Sequence, residues 1–231
     1  MKHILISNGQ FLSDPRICIL TGHQDVWLPL AKLTTYSNVA EYAMRWSHDM
    51  MVLSGNMPGV EYYPLLRLQE AVKLAESGKY DWIWVLGADL LITNMTIPLT
   101  KVIDSDFHLI ISSDWHGWQA DSFLLRCSPD GIRFISSVIF KFDEYANRPH
   151  KEQDAMFDLS PRHRNVCKLV PQRMLSAYNY DLYEDWAGIS SIDLKGHSGQ
   201  WQPGDFIIHW AGMNLPIRLE QAAKYIPQIV R

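Results

Sequence analysis

Apolar residues along this chain follow two habits, short unbroken runs and stripes at three-to-four spacing, and the two alternate through its first half. The most apolar run is Trp82 to Leu86, five residues between Asp81 and Gly87. It is too short for a confident helix and suits a strand buried on both faces of a parallel sheet. Ile4 to Ile6, Met50 to Leu53, Phe107 to Ile111, Ser122 to Arg126, Val166 to Val170 and Phe206 to Ile208 read as further strands. Helical spacing predicts Leu30 to His48, with a break near Thr34 to Ser37. It also predicts Tyr62 to Ser77, where Leu65, Leu68, Val72 and Ala75 share a face and Gly78 stands at the stop. Ile135, Val138, Ile139 and Phe142 stripe a third helix over Ile132 to Ala146. Lys151-Glu152-Gln153-Asp154 opens a short one over Ala155 to Leu159, and Leu219, Ala222, Ala223, Ile226 and Val230 mark a terminal one. A loop and a short helix are expected around Pro98. Residues 171–204 are rich in Tyr, Gly, Ser and Asp without clear period, so loops are expected there.

Alternating strands and helices predict an α/β fold with a mostly parallel sheet flanked by helices. The length of 231 residues fits one domain spanning residues 1–231, with no internal repeat or linker. A net charge of -4 gives no electrostatic footprint for nucleic acid. The one basic cluster, Arg162, His163 and Arg164, is either a solvated loop or a contact for a phosphate or anionic acceptor. Three widely spaced cysteines without a CxxC pair read as reduced core residues. The N-terminal apolar run is too short for a signal peptide, and there are nowhere 18 consecutive apolar residues. The expectation is a soluble, cytoplasmic protein with no transmembrane segment. GxGxxG, the Walker loop, HExxH and GxSxG are absent, which removes the common dehydrogenase, NTPase, zinc-protease and serine-hydrolase readings. Nine Trp and ten Tyr fit either a sugar-handling surface or a well-packed core.

The candidate chemistry starts at Asp89, just past the carboxyl end of the Trp82 to Leu86 strand, where open α/β sheets place their ligands. A carboxylate there either holds a hard divalent cation or caps the following turn. The polar turn Ser7-Asn8-Gly9 after the first expected strand would meet the base of a nucleotide, which makes Ser7 and Asn8 nucleotide-binding candidates.

Five segments, in order between about residues 36 and 213, carry a family resemblance. They are Tyr62 to Asn94, Ala120-Asp121-Ser122-Phe123-Leu124-Leu125-Arg126, Glu152-Gln153-Asp154, Pro171-Gln172-Arg173, and Gly204-Asp205-Phe206-Ile207-Ile208-His209-Trp210-Ala211-Gly212. Together they resemble the retaining glycosyltransferases that include fungal galactosyl- and mannosyltransferases of cell-wall mannan and plant xyloglucan xylosyltransferases. The resemblance implies a GT-A-type, Rossmann-like α/β fold, a UDP-sugar donor, Mn²⁺ or Mg²⁺, a glycan or glycoconjugate acceptor, and transfer with retention of configuration. It places the metal on Asp89, from a DxD motif, and on His209, and it puts Ala88, Gly212 and Asn214 beside the donor.

Two departures stand out: Gly87 replaces the first acid of DxD, and Asn214 replaces a phosphate-contacting Lys. One lost carboxylate predicts weak metal binding without nucleotide, unless another acid, with Asp114 nearest in sequence, has taken its place. An oxocarbenium-like sugar needs a polar or anionic neighbour, for which Gln153 and Asp154 are candidates with Asp121 behind them. Glu152 and Asp154 equally suit a helix N-terminus. Asp114, Trp115, His116 and Trp118 would line the sugar or acceptor side, or form an ordinary surface loop. Two other readings stay open, a non-catalytic sugar-binding relative and a sugar nucleotidyltransferase. The latter would need a basic loop that Ser7-Asn8-Gly9-Gln10 does not provide.

Overall fold

The computed structural model describes residues 4–7, 10–56, 62–115, 117–148, 150–163, 165–183 and 197–231, with backbone alone for 4–7 and 10–13. Its main sheet has six strands: β3 (Ile17–His23), β4 (Asp49–Ser54), β5 (Trp82–Gly87), β7 (Leu109–Asp114), β8 (Gly117–Arg126) and β9 (Cys167–Val170). They are ordered β4-β3-β5-β8-β7-β9, and only β8 runs against the rest.

The first strand of this sheet is β3, which corrects the assignment of Ile4 to Ile6. That segment, β1 (Ile4–Ser7), pairs antiparallel with β2 (Gln10–Ser13) instead. Two strand-length segments separated only by Asn-Gly carry a hairpin signal strong enough to decide their pairing. Asn8 itself lies outside the described residues. β3 escapes a periodicity reading because its apolar run ends at Leu20, whereas Thr21, Gly22 and His23 complete the strand and are buried too. At Gly22 a Cβ would meet the Leu53 carbonyl oxygen at 2.6 Å and Leu53 Cβ at 2.8 Å, so neighbouring β4 excludes any side chain there.

β5 is buried along its whole length, as its continuous apolar run predicts. Ile83 and Val85 face a core built with Leu68, Phe123, Phe134 and Met156. These come from α3 (Tyr63–Glu76), α4 (Pro129–Lys141) and α5 (Lys151–Leu159) as well as the sheet. Trp82, Trp84 and Leu86 face a second core with Ile19, Tyr42 and Phe206. The period of two along β5 thus separates two layers, and the strand's end emerges between them.

The expected break in the first long helix is a π-helical stretch, Thr34–Val39, between α1 (Leu28–Leu33) and α2 (Ala40–Trp46). Its widened turn turns polar side chains onto the end of the central strand. Thr34 Oγ1 donates to the Ala88 carbonyl (2.6 Å). Asn38 brackets Ile92, donating to its carbonyl (2.9 Å) and accepting from its N–H (2.8 Å). The π-bulge therefore fixes the backbone on both sides of Asp89, a use to which such bulges are often put.

A second, three-stranded sheet is ordered β10-β11-β6, from β6 (Leu90–Ile92), β10 (Ala177–Tyr178) and β11 (Ile207–His209). The region expected to be loop thus contributes a strand and, before it, the short helix α6 (Gln172–Leu175). Tyr178 and Tyr183 stack there at 5.4 Å. The polar hydroxyls of these tyrosines disguise a buried cluster as loop composition; residues 184–196 lie outside the described ones. Among the described residues no helix is long and apolar enough to cross a membrane.

Candidate active site

Pairing registers bring three side chains of distant sequence to one point. β6 starts immediately after Asp89, and β11 runs antiparallel to it with His209 opposite Leu90. A backbone bond from Trp210 N–H to the Asp89 carbonyl (3.1 Å) closes that junction. β8 lies beside β5 with Ser122 opposite Leu86, which carries Asp121 to the end of β5. His209 Nε2 consequently stands 3.3 Å from Asp89 Oδ2 and 3.9 Å from Asp121 Oδ2, and ligand atoms of all three lie within 4.8 Å of one another.

The donor set fits a divalent cation. His209 is fully buried, and among the described residues its Nε2 has no partner in hydrogen-bond geometry. Its other ring nitrogen, Nδ1, is 2.9 Å from Ser176 Oγ, a contact that fixes the ring, as is usual behind a metal-ligating histidine. Two carboxylates and one imidazole form a mixed oxygen and nitrogen set that suits Mn²⁺ better than Ca²⁺ or a soft, thiolate-seeking ion. Asp121, expected behind the sugar-facing groups, thus stands with Asp89 and His209, while Asp114 does not. Asp114 is held in the neighbouring cavity by Tyr178 OH (2.8 Å) and Gln119 Nε2 (3.2 Å).

Two arginines complete the cluster. Arg218 Nη2 is 2.7 Å from Asp89 Oδ2, and Arg67 Nη2 pairs with Asp121 Oδ1. Burial alone would raise the Asp89 carboxyl. Arg218, His209 and Arg67 outweigh it and hold the group well below the usual carboxylate range. Neither arginine was singled out from sequence. Arg67 does carry a signal, since it falls on the same buried stripe of α3 as Ala71 and Leu74.

Gly87 has an ordinary negative φ, so backbone angle does not forbid a side chain there. Space is tight instead: a Cβ would lie 2.7 Å from Asp89 Oδ1 and 2.9 Å from Leu90 Cδ1, so these two side-chain ends must shift to admit it. Restoring the acid with Gly87→Asp is therefore expected to displace Asp89 and lower Mn²⁺ affinity in the presence of UDP by about tenfold. Isothermal titration checks this, and a gain in affinity would show that the site holds a fourth ligand without moving Asp89.

Two cavities meet at Asp121. One, ≈ 210 Å³, is lined by Gly22, His23, Gln24, Trp27, Arg67, Asp89 and Arg218, among others. The end of β3 lines it at Gly22 and His23, whereas Asn8, Gly9 and the side chain of Ser7 lie outside the described residues. His23 is held by Tyr36 OH at Nε2 (3.0 Å). The other, ≈ 140 Å³, is lined by Asp114, Trp115, His150, Gln153, Tyr183 and Gly212, among others.

Of the remaining candidates, Ala88 lines the first cavity. Asn214 caps α7 (Leu215–Tyr225), accepting from Ile217 N–H at 3.1 Å. Asp154 lines neither of these cavities. Glu152 turns inward to accept from Tyr62 OH (2.6 Å), and burial pushes its carboxyl up to about 7, against that hydrogen bond. Trp118 packs in the core against Phe134 instead of lining the site. His116 and Arg164 lie outside the described residues.

The model of the galactosyl transferase GMA12/MNN10 family matches residues 101–216. A Schizosaccharomyces pombe protein described as probable alpha-1,2-galactosyltransferase gmh2 is 25% identical over 175 residues, covering 58% of this chain. The chain spans 46% of that relative's length. Among solved structures, a glycosyltransferase involved in glycosylation of the major capsid of PBCV-1 superposes with a TM-score of 0.69. Its identity is 16%, over 91% of this chain and 100% of that one. The galactosyltransferase LgtC, solved with donor and acceptor sugar analogues, superposes with a TM-score of 0.54. Its identity is 15%, over 90% of this chain and 96% of that one. These neighbours share the GT-A fold, as the family resemblance implies.

Proposed function

Since this chain belongs to the galactosyl transferase GMA12/MNN10 family, we propose that it transfers a hexosyl or pentosyl unit from a UDP-sugar to a hydroxyl of a glycan or glycoconjugate, with retention of configuration. The observation that carries this reading is the meeting of Asp89, Asp121 and His209 where two cavities join. A donor laid across that junction has its diphosphate at the charged cluster, its nucleoside towards the β3 end and its sugar towards Gln153.

Asp89, Asp121 and His209 are the residues that would hold Mn²⁺ or Mg²⁺. A divalent ion bound there supplies Lewis-acid neutralisation of the diphosphate as it departs. The chain's own contributions are separable from that. Arg67 and Arg218 place two fixed positive charges beside the diphosphate position, where a largely buried setting makes them count for more than in water. Gln153 is anchored by its Oε1, which accepts from Ala120 N–H (3.4 Å), and presents its amide towards the sugar side. Trp115 and Asp114 offer an apolar face and an acceptor oxygen, the pair of features a pyranose ring needs.

Gln153→Ala is accordingly expected to slow turnover about tenfold or more, while UDP Kd moves less than about twofold. An equal loss of UDP affinity would place Gln153 on the nucleotide instead. The reading as a whole is tested by offering a panel of UDP-sugars with Mn²⁺ and following the anomeric proton of the product by NMR. Retention is expected. An inverted product would remove the mechanism proposed here, and no turnover of any UDP-sugar would favour a binding protein.

A further inference from the structure

Arg218 holds the carboxylate oxygen that a metal would need. Its Nη2 is 2.7 Å from Asp89 Oδ2, the same oxygen that stands 3.3 Å from His209 Nε2. The guanidinium is fixed on two further sides, by Nε donating to the Trp210 carbonyl (3.1 Å) and by the Trp27 ring, whose centroid lies 4.5 Å from Cζ. Arg67 stands across the cluster. Only 5% exposed, it pairs through Nη2 with Asp121, and its Nη1 is buried with no hydrogen-bond partner among the described residues. Both arginines line the same cavity.

The charges of the cluster therefore close on themselves. Two carboxylates face two guanidinium groups, which leaves little net field to attract a cation into the free protein. Arg67, however, carries an unused donor, a costly thing to bury without a ligand to receive it. Guanidinium donors match phosphate oxygens in geometry as well as charge, and a diphosphate in this cavity would compete with Asp89 for Arg218.

We infer that Arg218, together with Arg67, binds the donor's diphosphate, and that in the nucleotide-free protein Arg218 occupies the Asp89 carboxylate that metal binding requires. The inference rests on the reading of this cavity as the nucleotide-sugar site. Diphosphate binding then draws Arg218 off Asp89 and opens the carboxylate to the metal. By linkage, each ligand strengthens the other by one common factor. The asymmetry with Asn214 follows: the cation that the family resemblance places at residue 214 is supplied from one helical turn further along α7.

The test is calorimetric titration of UDP in EDTA, and of Mn²⁺ without nucleotide, into the wild type, Arg218→Met and Arg218→Lys, with thermal melts as a folding check. The wild type is expected to bind UDP measurably in EDTA. Arg218→Met is expected to weaken that binding about tenfold or more, and to strengthen Mn²⁺ binding by a similar factor. Arg218→Lys keeps the charge and is expected to lose less UDP affinity than Arg218→Met. Opposite movements of two affinities are not what a merely structural role produces, since a damaged site loses both. Unchanged UDP binding in Arg218→Met, or Mn²⁺ affinity that stays put or falls, would overturn the inference. So would a wild type that binds UDP only when metal is present, although the glycosyltransferase reading would then still stand. A wild type that binds neither UDP nor UDP with Mn²⁺ would remove the site reading and the inference together.

Discussion

His209→Ala and Asp121→Asn are each expected to reduce transfer by on the order of a hundredfold or more, and Asp89→Asn by as much, without unfolding the chain. Each removes one of the three ligand atoms that lie within 4.8 Å of one another, so the charge that develops on a leaving diphosphate loses its counterpart. Asn at 121 keeps an oxygen to accept from Arg67, which avoids leaving that buried guanidinium unpaired. Turnover measured beside a thermal melt checks the expectation. Near-native turnover in any one variant would take that residue out of the metal site.

Asp121 also shows how far the sequence could be read. Asp89 and His209 announce themselves because each ends an apolar strand, and a strand end in an open α/β sheet is where ligands gather. Asp121 lies within β8, and only the antiparallel register between β8 and β5 carries it to the same point. Nothing in its local sequence records that register. Gly87 was legible as a loss, but not that an acid from another strand sits where its side chain would point; a Cβ on Gly87 would be 3.4 Å from Asp121 Oδ1.

The fold was legible to a similar depth. Runs and stripes located β5, α3 and α4 because their apolar pattern matches their burial, and located β4 by its apolar run although Leu53 alone of that strand is buried. They failed at β3, where polar residues are buried, and at 171–183, where tyrosines fill a core.

Trp84→Ala is expected to destabilise the protein by about 3–5 kcal/mol, a large share of the roughly 5–15 kcal/mol typical of folded domains. Trp84 is fully buried at the centre of β5. Its ring stacks on Phe206 at 5.6 Å, meets Tyr42 edge-on at 5.9 Å, and donates from Nε1 to Ser122 Oγ at 3.2 Å. Truncation opens a void between Tyr42 of α2 and Phe206, and it leaves the Ser122 hydroxyl without that donor. Phe206 immediately precedes β11, so the loss is expected to loosen the strand that delivers His209 as well. Urea denaturation of the wild type and the variant measures the difference. A cost below about 1 kcal/mol would mean that this layer collapses around the missing ring.

Asp89, Asp121 and His209 are proposed to form the metal-assisted diphosphate site of a UDP-sugar transferase. Release of UDP from UDP-sugars, measured with Mn²⁺ and again in EDTA, tests it most directly. UDP release is expected with at least one UDP-sugar in Mn²⁺, with loss of most of that release in EDTA. Equal release under both conditions would contradict the role given to the three residues, and no release from any UDP-sugar would contradict the activity itself.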